Sequence, residues 1–140
     1  MAIGAARSPG LIDTNVVVLL PQLNRDHLPI ELLISTITLA ELSVGPLVAM
    51  QESERALRQL VLQQVEAQFS PVPFDGAAAR AFGVVAAALH RAGRKVAART
   101  FDAMIAATAM SLDVALYTCN PSDFQAIDGL LVVGVPHPNA

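Results

Sequence analysis

Short apolar runs alternate along the chain with longer segments in which apolar residues recur at helical spacing. The runs that predict buried strands are 11–12, 32–34, 72–74, 114–118 and 130–135. The segments that predict helices are 37–45, 52–68, 76–91 and 101–112. Because strands and helices alternate, the pattern predicts an α/β fold with a parallel sheet.

The helical segments differ in their surroundings. In 52–68 an apolar stripe faces Glu and Gln positions, which predicts an amphipathic helix at the surface. We expect the first helix to close at Gly45-Pro46 and the alanine-rich 76–91 to end near Gly93. The small residues AATA inside 101–112 let a helix approach a sheet closely, so we expect that helix to be buried.

Composition adds a prediction about partners. At 140 residues the chain has the usual size of one domain, and no linker-like stretch interrupts it. Hydrophobic residues make up 54% of the chain and charged residues only 15%, more apolar surface than one monomer readily hides. We therefore expect an oligomer or an obligate partner.

Membrane insertion and export are not expected. The longest apolar stretch, 82–89, falls far short of the roughly 20 residues that a membrane span needs. The start of the chain, MAIGAARSPG, lacks the apolar run of a secretory signal. A single cysteine, Cys119, rules out an intramolecular disulfide and a zinc site of cysteines, which fits a reducing cytoplasm.

The distribution of charge matters more than its total. A net charge of −3 does not by itself suggest a nucleic-acid ligand. However, four of the nine basic residues lie within HRAGRKVAAR, directly before Asp102: Arg91, Arg94, Lys95 and Arg99. The alternative is an ordinary solvated helix end and loop.

Four carboxylates distant in sequence, Asp13, Glu41, Asp102 and Asp123, each follow a predicted strand or begin the helix after it. Each has a structural explanation when taken singly. Asp13 and Asp102 are possible helix N-caps, Glu41 completes a capping-box pattern with Thr38, and Asp123 lies in turn-forming sequence.

Their joint placement favours a shared site. Ligands bind outside the carboxyl ends of the strands in an open α/β sheet, and these carboxylates all fall at that edge. Their mutual repulsion would raise their pKa values unless a cation neutralised it. A ligand set of oxygens without paired His or Cys favours Mg²⁺ or Mn²⁺, ions that activate water and bind phosphate oxygens.

Four blocks carry a resemblance to a known family: DTN at 13–15, ITLAEL at 37–42 followed by Gly45, FDAMIAATA at 101–109, and TCNPSDF at 118–124. They resemble the signature blocks of PIN-domain ribonucleases, in particular the VapC toxins of VapBC toxin–antitoxin pairs. The match spans residues 11–135. It implies a single PIN-like nuclease domain over 1–140, with a three-layer α/β/α fold around a five-stranded parallel sheet.

The resemblance also implies roles for individual residues. Asp13 and Asp102 would hold Mg²⁺, or Mn²⁺ as a substitute, with Glu41 nearby and Asp123 completing the pocket. Thr14, Asn15, Thr118 and Asn120 would be polar neighbours that orient water or RNA. Many relatives carry an Arg where this chain has Cys119; Arg94, Lys95 and Arg99 are candidate substitutes for gripping RNA.

The partners implied by the resemblance are an RNA substrate, a second copy of the chain and a cognate antitoxin lying across the groove. The helix at 52–68 is a candidate docking face, with packing on its own core as the alternative. Two other functions remain open: a non-catalytic PIN-like binding module, and a phosphatase of another α/β family. The latter needs a lysine deeper in the chain, whereas Lys95, the only lysine, precedes Asp102. Either Glu41 or Asp123 could activate water.

Overall fold

A computed structural model describes residues 8–139. Residues 1–7, on which most of the export prediction rests, and Ala140 lie outside the described residues. The centre of the fold is a parallel sheet with strand order β2-β1-β3-β4. The strands are β1 (Gly10–Ile12), β2 (Leu32–Leu33), β3 (Ala115–Thr118) and β4 (Val132–Gly134). The predicted α/β fold with a parallel sheet is confirmed.

The predicted strand at 72–74 is wrong, so the sheet within residues 8–139 has four strands rather than five. Val72 forms an isolated parallel bridge with Ser35, in which its N–H donates to the Ile34 carbonyl at 2.8 Å. Pro71 and Pro73 flank it, and proline has no N–H to donate. Because alternate residues of a strand bond to the same neighbour, the two prolines face away from Ser35, so they bar a further strand on the outer side, and the pairing itself is confined to this one bridge.

Within residues 8–139, five α-helices surround the sheet: α1 (Thr14–Leu19), α2 (Thr36–Val48), α3 (Glu52–Gln68), α4 (Gly76–Arg91) and α5 (Thr100–Leu112). The bounds predicted for α3 and α4 are confirmed. The predicted end of α2 at Gly45-Pro46 is wrong, since the helix continues to Val48. Pro46 falls in the last turn, where its missing N–H removes a single intrahelical hydrogen bond.

Two apolar cores lie on opposite faces of the sheet. Leu11 and Leu116 pack with residues of α4 and α5, whereas Ile12 and Tyr117 pack with residues of α1 and α3. Because successive side chains of a strand point to opposite faces, the two clusters define a three-layer α/β/α arrangement. The small residues of α5 are buried, as predicted.

The apolar surplus of the composition is visible at the surface. Several large apolar side chains are exposed, many of them on α2, α3 and the turn between them. They are Val18, Ile30, Val44, Leu47, Val48, Met50, Leu57, Leu60, Val84, Phe101, Leu112 and Leu131. Between residues 8 and 139, no helix has the length and apolar character to cross a membrane.

A tight backbone contact at the start of β1 leads to a prediction about stability. A Cβ at Gly10 would lie 2.5 Å from Tyr117 Cε1 and 3.0 Å from Pro29 Cβ. Tyr117 is buried, so we expect Gly10→Ala to lower the free energy of unfolding by about 1–3 kcal/mol. Urea denaturation measures the change. Gly83→Ala in α4, where a Cβ meets no atom within 4 Å, is the control and should be neutral or stabilising. Equal stability of the two variants would contradict this account of β1.

Candidate active site

The carboxyl ends of β1 and β3 lie side by side and place the four predicted carboxylates around one region. Asp13 directly follows β1, and Asp123 lies in the 3₁₀ turn Pro121–Phe124 that follows β3. Glu41 lies on α2 and Asp102 in the first turn of α5. Burial raises the pKa values of Asp13 and Asp102, and repulsion adds to the rise: Glu41 and Asp123 act on Asp13, and Asp13 and Asp123 act on Asp102.

Asp13 is buried and has two roles. One carboxylate oxygen accepts a hydrogen bond from the Thr14 N–H at 2.8 Å, so Asp13 is the N-cap of α1. The other oxygen accepts from the Thr118 hydroxyl at 2.8 Å, across the sheet edge. Burial raises the pKa of Asp13, and these two hydrogen bonds oppose the rise. The capping role therefore accounts for only one of the two carboxylate oxygens of Asp13.

Glu41 is not part of a capping box. Ser35 caps α2 by accepting from the Thr38 N–H at 3.0 Å. Glu41 Oε1 instead accepts from the Thr14 hydroxyl at 2.7 Å, 27 residues away in sequence. Burial raises the pKa of Glu41, the Thr14 hydrogen bond lowers it, and the charge of Asp102 raises it. The capping-box interpretation is therefore wrong. The Glu41 carboxylate is instead bound by Thr14, the residue that follows Asp13.

Asp102 is not the N-cap of α5, and Asp123 is more than a turn residue. Arg99, not Asp102, occupies the N-cap position of α5. Burial raises the pKa of Asp102, as do the charges of Asp13 and Asp123, whereas Arg99 lowers it. Asp123 does lie in a turn, but its Oδ1 forms an ion pair with Arg99 Nη1 at 3.2 Å.

The predicted polar neighbours position the acids and each other. Asn15 Oδ1 accepts from the Cys119 N–H at 3.2 Å, and Thr118 Oγ1 accepts from the Asn120 N–H at 3.0 Å. Asn120 is exposed. Sequence reasoning missed Thr38, a buried residue whose hydroxyl is 2.9 Å from that of Thr14. Its position one turn before Glu41 on the same helix face is the signal that could have identified it.

The basic cluster reaches the same region. Arg94 Nη2 donates to the Ser122 carbonyl at 3.4 Å, and Arg99 pairs with Asp123 in the same turn. Lys95 is exposed. The assignment of Arg94, Lys95 and Arg99 to RNA binding stays a prediction.

The donor set suits a divalent cation. Within residues 8–139, the structure contains no group of three or more His, Cys, Asp or Glu side chains arranged so that they could hold a metal ion. Yet burial and mutual repulsion disfavour the charged forms of Asp13, Glu41 and Asp102, and a cation would relieve both effects. Carboxylate oxygens are the ligands that Mg²⁺ and Mn²⁺ prefer. The residues present therefore fit such an ion, provided that they draw together around it.

The raised pKa values predict how the stability of the cation-free protein depends on pH. For a carboxyl whose pKa is higher in the folded than in the unfolded state, folding takes up protons. Its stabilising contribution is present below the unfolded value, 3.8 for Asp13 and Asp102, and is lost as pH rises through the folded value. We expect the melting temperature in EDTA to fall on account of these groups as the pH rises above the unfolded value of 3.8 towards neutral.

Asp102→Asn should raise the melting temperature in EDTA at neutral pH and flatten its dependence on pH. Asp128→Asn, a change at an exposed carboxyl, is the matched control and should follow the wild type. A pH profile of Asp102→Asn that coincides with the wild-type profile would show that Asp102 carries no burial penalty.

Known proteins match this chain in sequence and in fold. The family model described as PIN domain matches residues 11–130. Ribonuclease VapC5 of Mycobacterium tuberculosis is 35% identical over 129 residues, which cover 90% of this chain and 93% of that protein. The crystal structure of VapBC-5 from the same organism matches with a TM-score of 0.80 and 34% identity, covering 91% and 99% of the two chains. DNA-bound VapBC from Salmonella typhimurium matches with a TM-score of 0.70 and 25% identity, covering 89% and 96%.

Proposed function

This chain belongs to the PIN-domain family, and we propose that it is the toxin of a type II toxin–antitoxin pair, a cytoplasmic Mg²⁺-dependent endoribonuclease. Its reaction would be hydrolysis of RNA phosphodiester bonds. The observation that carries the proposal is the convergence of four carboxylates at one sheet edge, three of them with pKa values raised by burial and mutual repulsion. Such an arrangement lowers the stability of the folded protein, and cation binding would explain why it is present.

Asp13 and Asp102 would hold the cation, with Glu41 and Asp123 completing the pocket and Mn²⁺ as a substitute for Mg²⁺. When bound, the cation supplies charge stabilisation at the phosphate and activates water for in-line attack. Thr118 fixes one oxygen of Asp13 through its 2.8 Å hydrogen bond, so the carboxylate is oriented before any ligand arrives.

Glu41 is the better candidate for accepting the proton of the attacking water. Its raised pKa brings its basicity nearer to neutral pH, and the Thr14 hydroxyl fixes its orientation. The carboxylate of Asp123 is already paired with Arg99. The choice between Glu41 and Asp123, open from sequence, therefore falls to Glu41.

RNA binding to a chain of net charge −3 needs a local basic surface. We assign it to Arg94 and Arg99, which contact the turn that carries Asp123, and to the exposed Lys95. Asn15 and Asn120 would supply polar contacts to the substrate. The non-catalytic alternative requires the acids to serve as helix caps, and among the four only Asp13 caps a helix.

Antitoxin binding is supported by a groove beside the acids. A cavity of about 400 Å³ lies between α1, α2 and α3, with Val18, Leu57 and Arg58 among its walls and Glu41 at its edge. Val65 of α3 is buried in the core, whereas Leu57 and Leu60 are 66% and 50% exposed, so the first half of this helix's apolar stripe is not covered by the protein's own core. We propose that the antitoxin lies in this groove, and that a second copy of the chain covers exposed apolar residues of α4 and α5.

The proposed activity is tested by incubating the purified protein, freed of any partner, with a panel of RNAs in Mg²⁺, in Mn²⁺ and in EDTA. Cleavage is expected with either cation and should stop in EDTA. Cleavage that survives EDTA would exclude the cation-dependent mechanism, and an RNA panel left intact under all conditions would favour a binding module.

A further inference from the structure

One guanidinium, that of Arg99, forms an ion pair with one of the four acids and acts electrostatically on a second. Arg99 Nη1 lies 3.2 Å from Asp123 Oδ1, with 28% of the Arg99 side chain and 34% of the Asp123 side chain exposed. The charge of Arg99 also lowers the pKa of Asp102. Arg99 ends the 3₁₀ turn Ala97–Arg99 immediately before α5, so the same segment positions this guanidinium and Asp102.

The segment around Arg99 is held by local hydrogen bonds. The Arg99 N–H donates to the Val96 carbonyl at 3.0 Å, and the Thr100 hydroxyl lies 3.0 Å from the Ala97 carbonyl. On the other side, the Asp123 N–H donates to the Asn120 carbonyl at 3.1 Å. Both partners of the ion pair therefore sit on backbone that is tied down, and their meeting is part of the fold.

The second arginine at this turn makes a different contact. Arg94 donates to the backbone carbonyl of Ser122, whereas Arg99 pairs with a carboxylate of the candidate cation pocket. Only Arg99 therefore competes directly for an oxygen that a cation would need. A contact of this kind lowers the repulsion among the acids while the pocket holds no divalent ion.

We propose that Arg99 is a built-in counter-cation that occupies Asp123 in the cation-free protein and that an incoming divalent ion must displace. The proposal rests on the proposed function in one respect, namely that the acids bind a cation. The charge of Arg99 then raises the stability of the cation-free protein and lowers its affinity for the cation. Arg99 becomes available to an RNA phosphate only after this exchange, which orders cation binding before its contact with substrate.

The test is a calorimetric titration of EDTA-treated, RNA-free protein with MnCl₂. Arg99→Gln should bind Mn²⁺ at least about threefold more tightly than the wild type, because a competing positive charge is gone. In the absence of cation the same variant should melt at a lower temperature. Damage to the site would weaken binding and stability together, so tighter binding with lower stability separates the counter-cation from a merely structural role.

Two control variants isolate the ion pair. Arg91→Gln removes the same charge from an exposed position in the same basic cluster and should leave Mn²⁺ affinity close to the wild-type value. Arg99→Lys keeps the charge and should bind Mn²⁺ as weakly as the wild type. In an Asp123→Asn background, Arg99→Gln should tighten binding less than it does in the wild type, since the ion pair is already lost.

A measurement on the wild type needs no substitution at Arg99. The Nε–Hε resonance of Arg99 should shift as Mg²⁺ is added and saturate with the Kd that a calorimetric titration with MgCl₂ gives. An unshifted resonance, or Arg99→Gln binding no more tightly than the wild type, would overturn the counter-cation role alone. A wild type that binds no cation at all would overturn the proposed function with it.

Discussion

Asp102→Asn is expected to lower the rate of RNA cleavage at saturating Mg²⁺ by at least about a hundredfold, while the protein stays folded. The substitution removes one of the two carboxylates assigned to the cation without changing the size of the side chain. Asp102 lies in the first turn of α5 and does not cap it, so the substitution removes no capping hydrogen bond. A cleavage assay with purified protein, together with a melting curve, measures both effects.

Asp113→Asn provides a matched control on the same helix. Asp113 is exposed at the C-terminal end of α5 in a left-handed conformation, with φ of 56°, which Asn adopts as readily as Asp. Its cleavage rate should equal that of the wild type. If Asp102→Asn cleaves RNA as fast as Asp113→Asn, the carboxylate of Asp102 has no part in the reaction.

Mg²⁺ is expected to stabilise the folded protein strongly. An ion that binds only the folded state at a hundred times its Kd adds about 2.7 kcal/mol to the free energy of unfolding. For a chain of this size that corresponds to a rise in melting temperature of roughly 5–11 °C. The gain comes from relieving the repulsion and burial that raise the pKa values of Asp13, Glu41 and Asp102.

The comparison uses MgCl₂ against NaCl of equal ionic strength, because added salt alone screens the repulsion. Asp13→Asn and Asp102→Asn should each lose most of the Mg²⁺-specific rise. A rise of the same size with NaCl, or in Asp102→Asn, would show that the stabilisation does not come from binding at these acids.

Local sequence patterns predict much of the fold, and the wrong predictions have local causes. The predicted strand around Val72 is reduced to one bridge at the edge of the sheet, the kind of position to which prolines such as Pro71 and Pro73 are confined. The sequence pattern predicts neither a helix nor a strand for the apolar run at 16–20, yet most of this run lies in α1. Its β-branched residues do not favour a helix, and Val16 and Val17 are stabilised there by burial.

The sequence predicts that the four acids meet, but not the contacts that each of them makes. That the four acids meet follows from their places at the ends of strands, which topology alone brings together. Whether Glu41 caps its helix depends on Thr14, a partner 27 residues earlier in the chain. The pairing of Arg99 with Asp123 joins two different turns. Contacts of this kind depend on side-chain geometry in the folded state, which no local pattern encodes.

The central claim, that Asp13, Glu41, Asp102 and Asp123 together form a divalent-cation site, is tested most directly by paramagnetic broadening in the NMR spectrum. Substoichiometric Mn²⁺ added to the cation-free protein should broaden the backbone amide signals around these four residues first, and excess Mg²⁺ should restore them. Broadening centred on other acids, such as Glu52 and Glu54 of α3, or no selective broadening at all, would contradict the account.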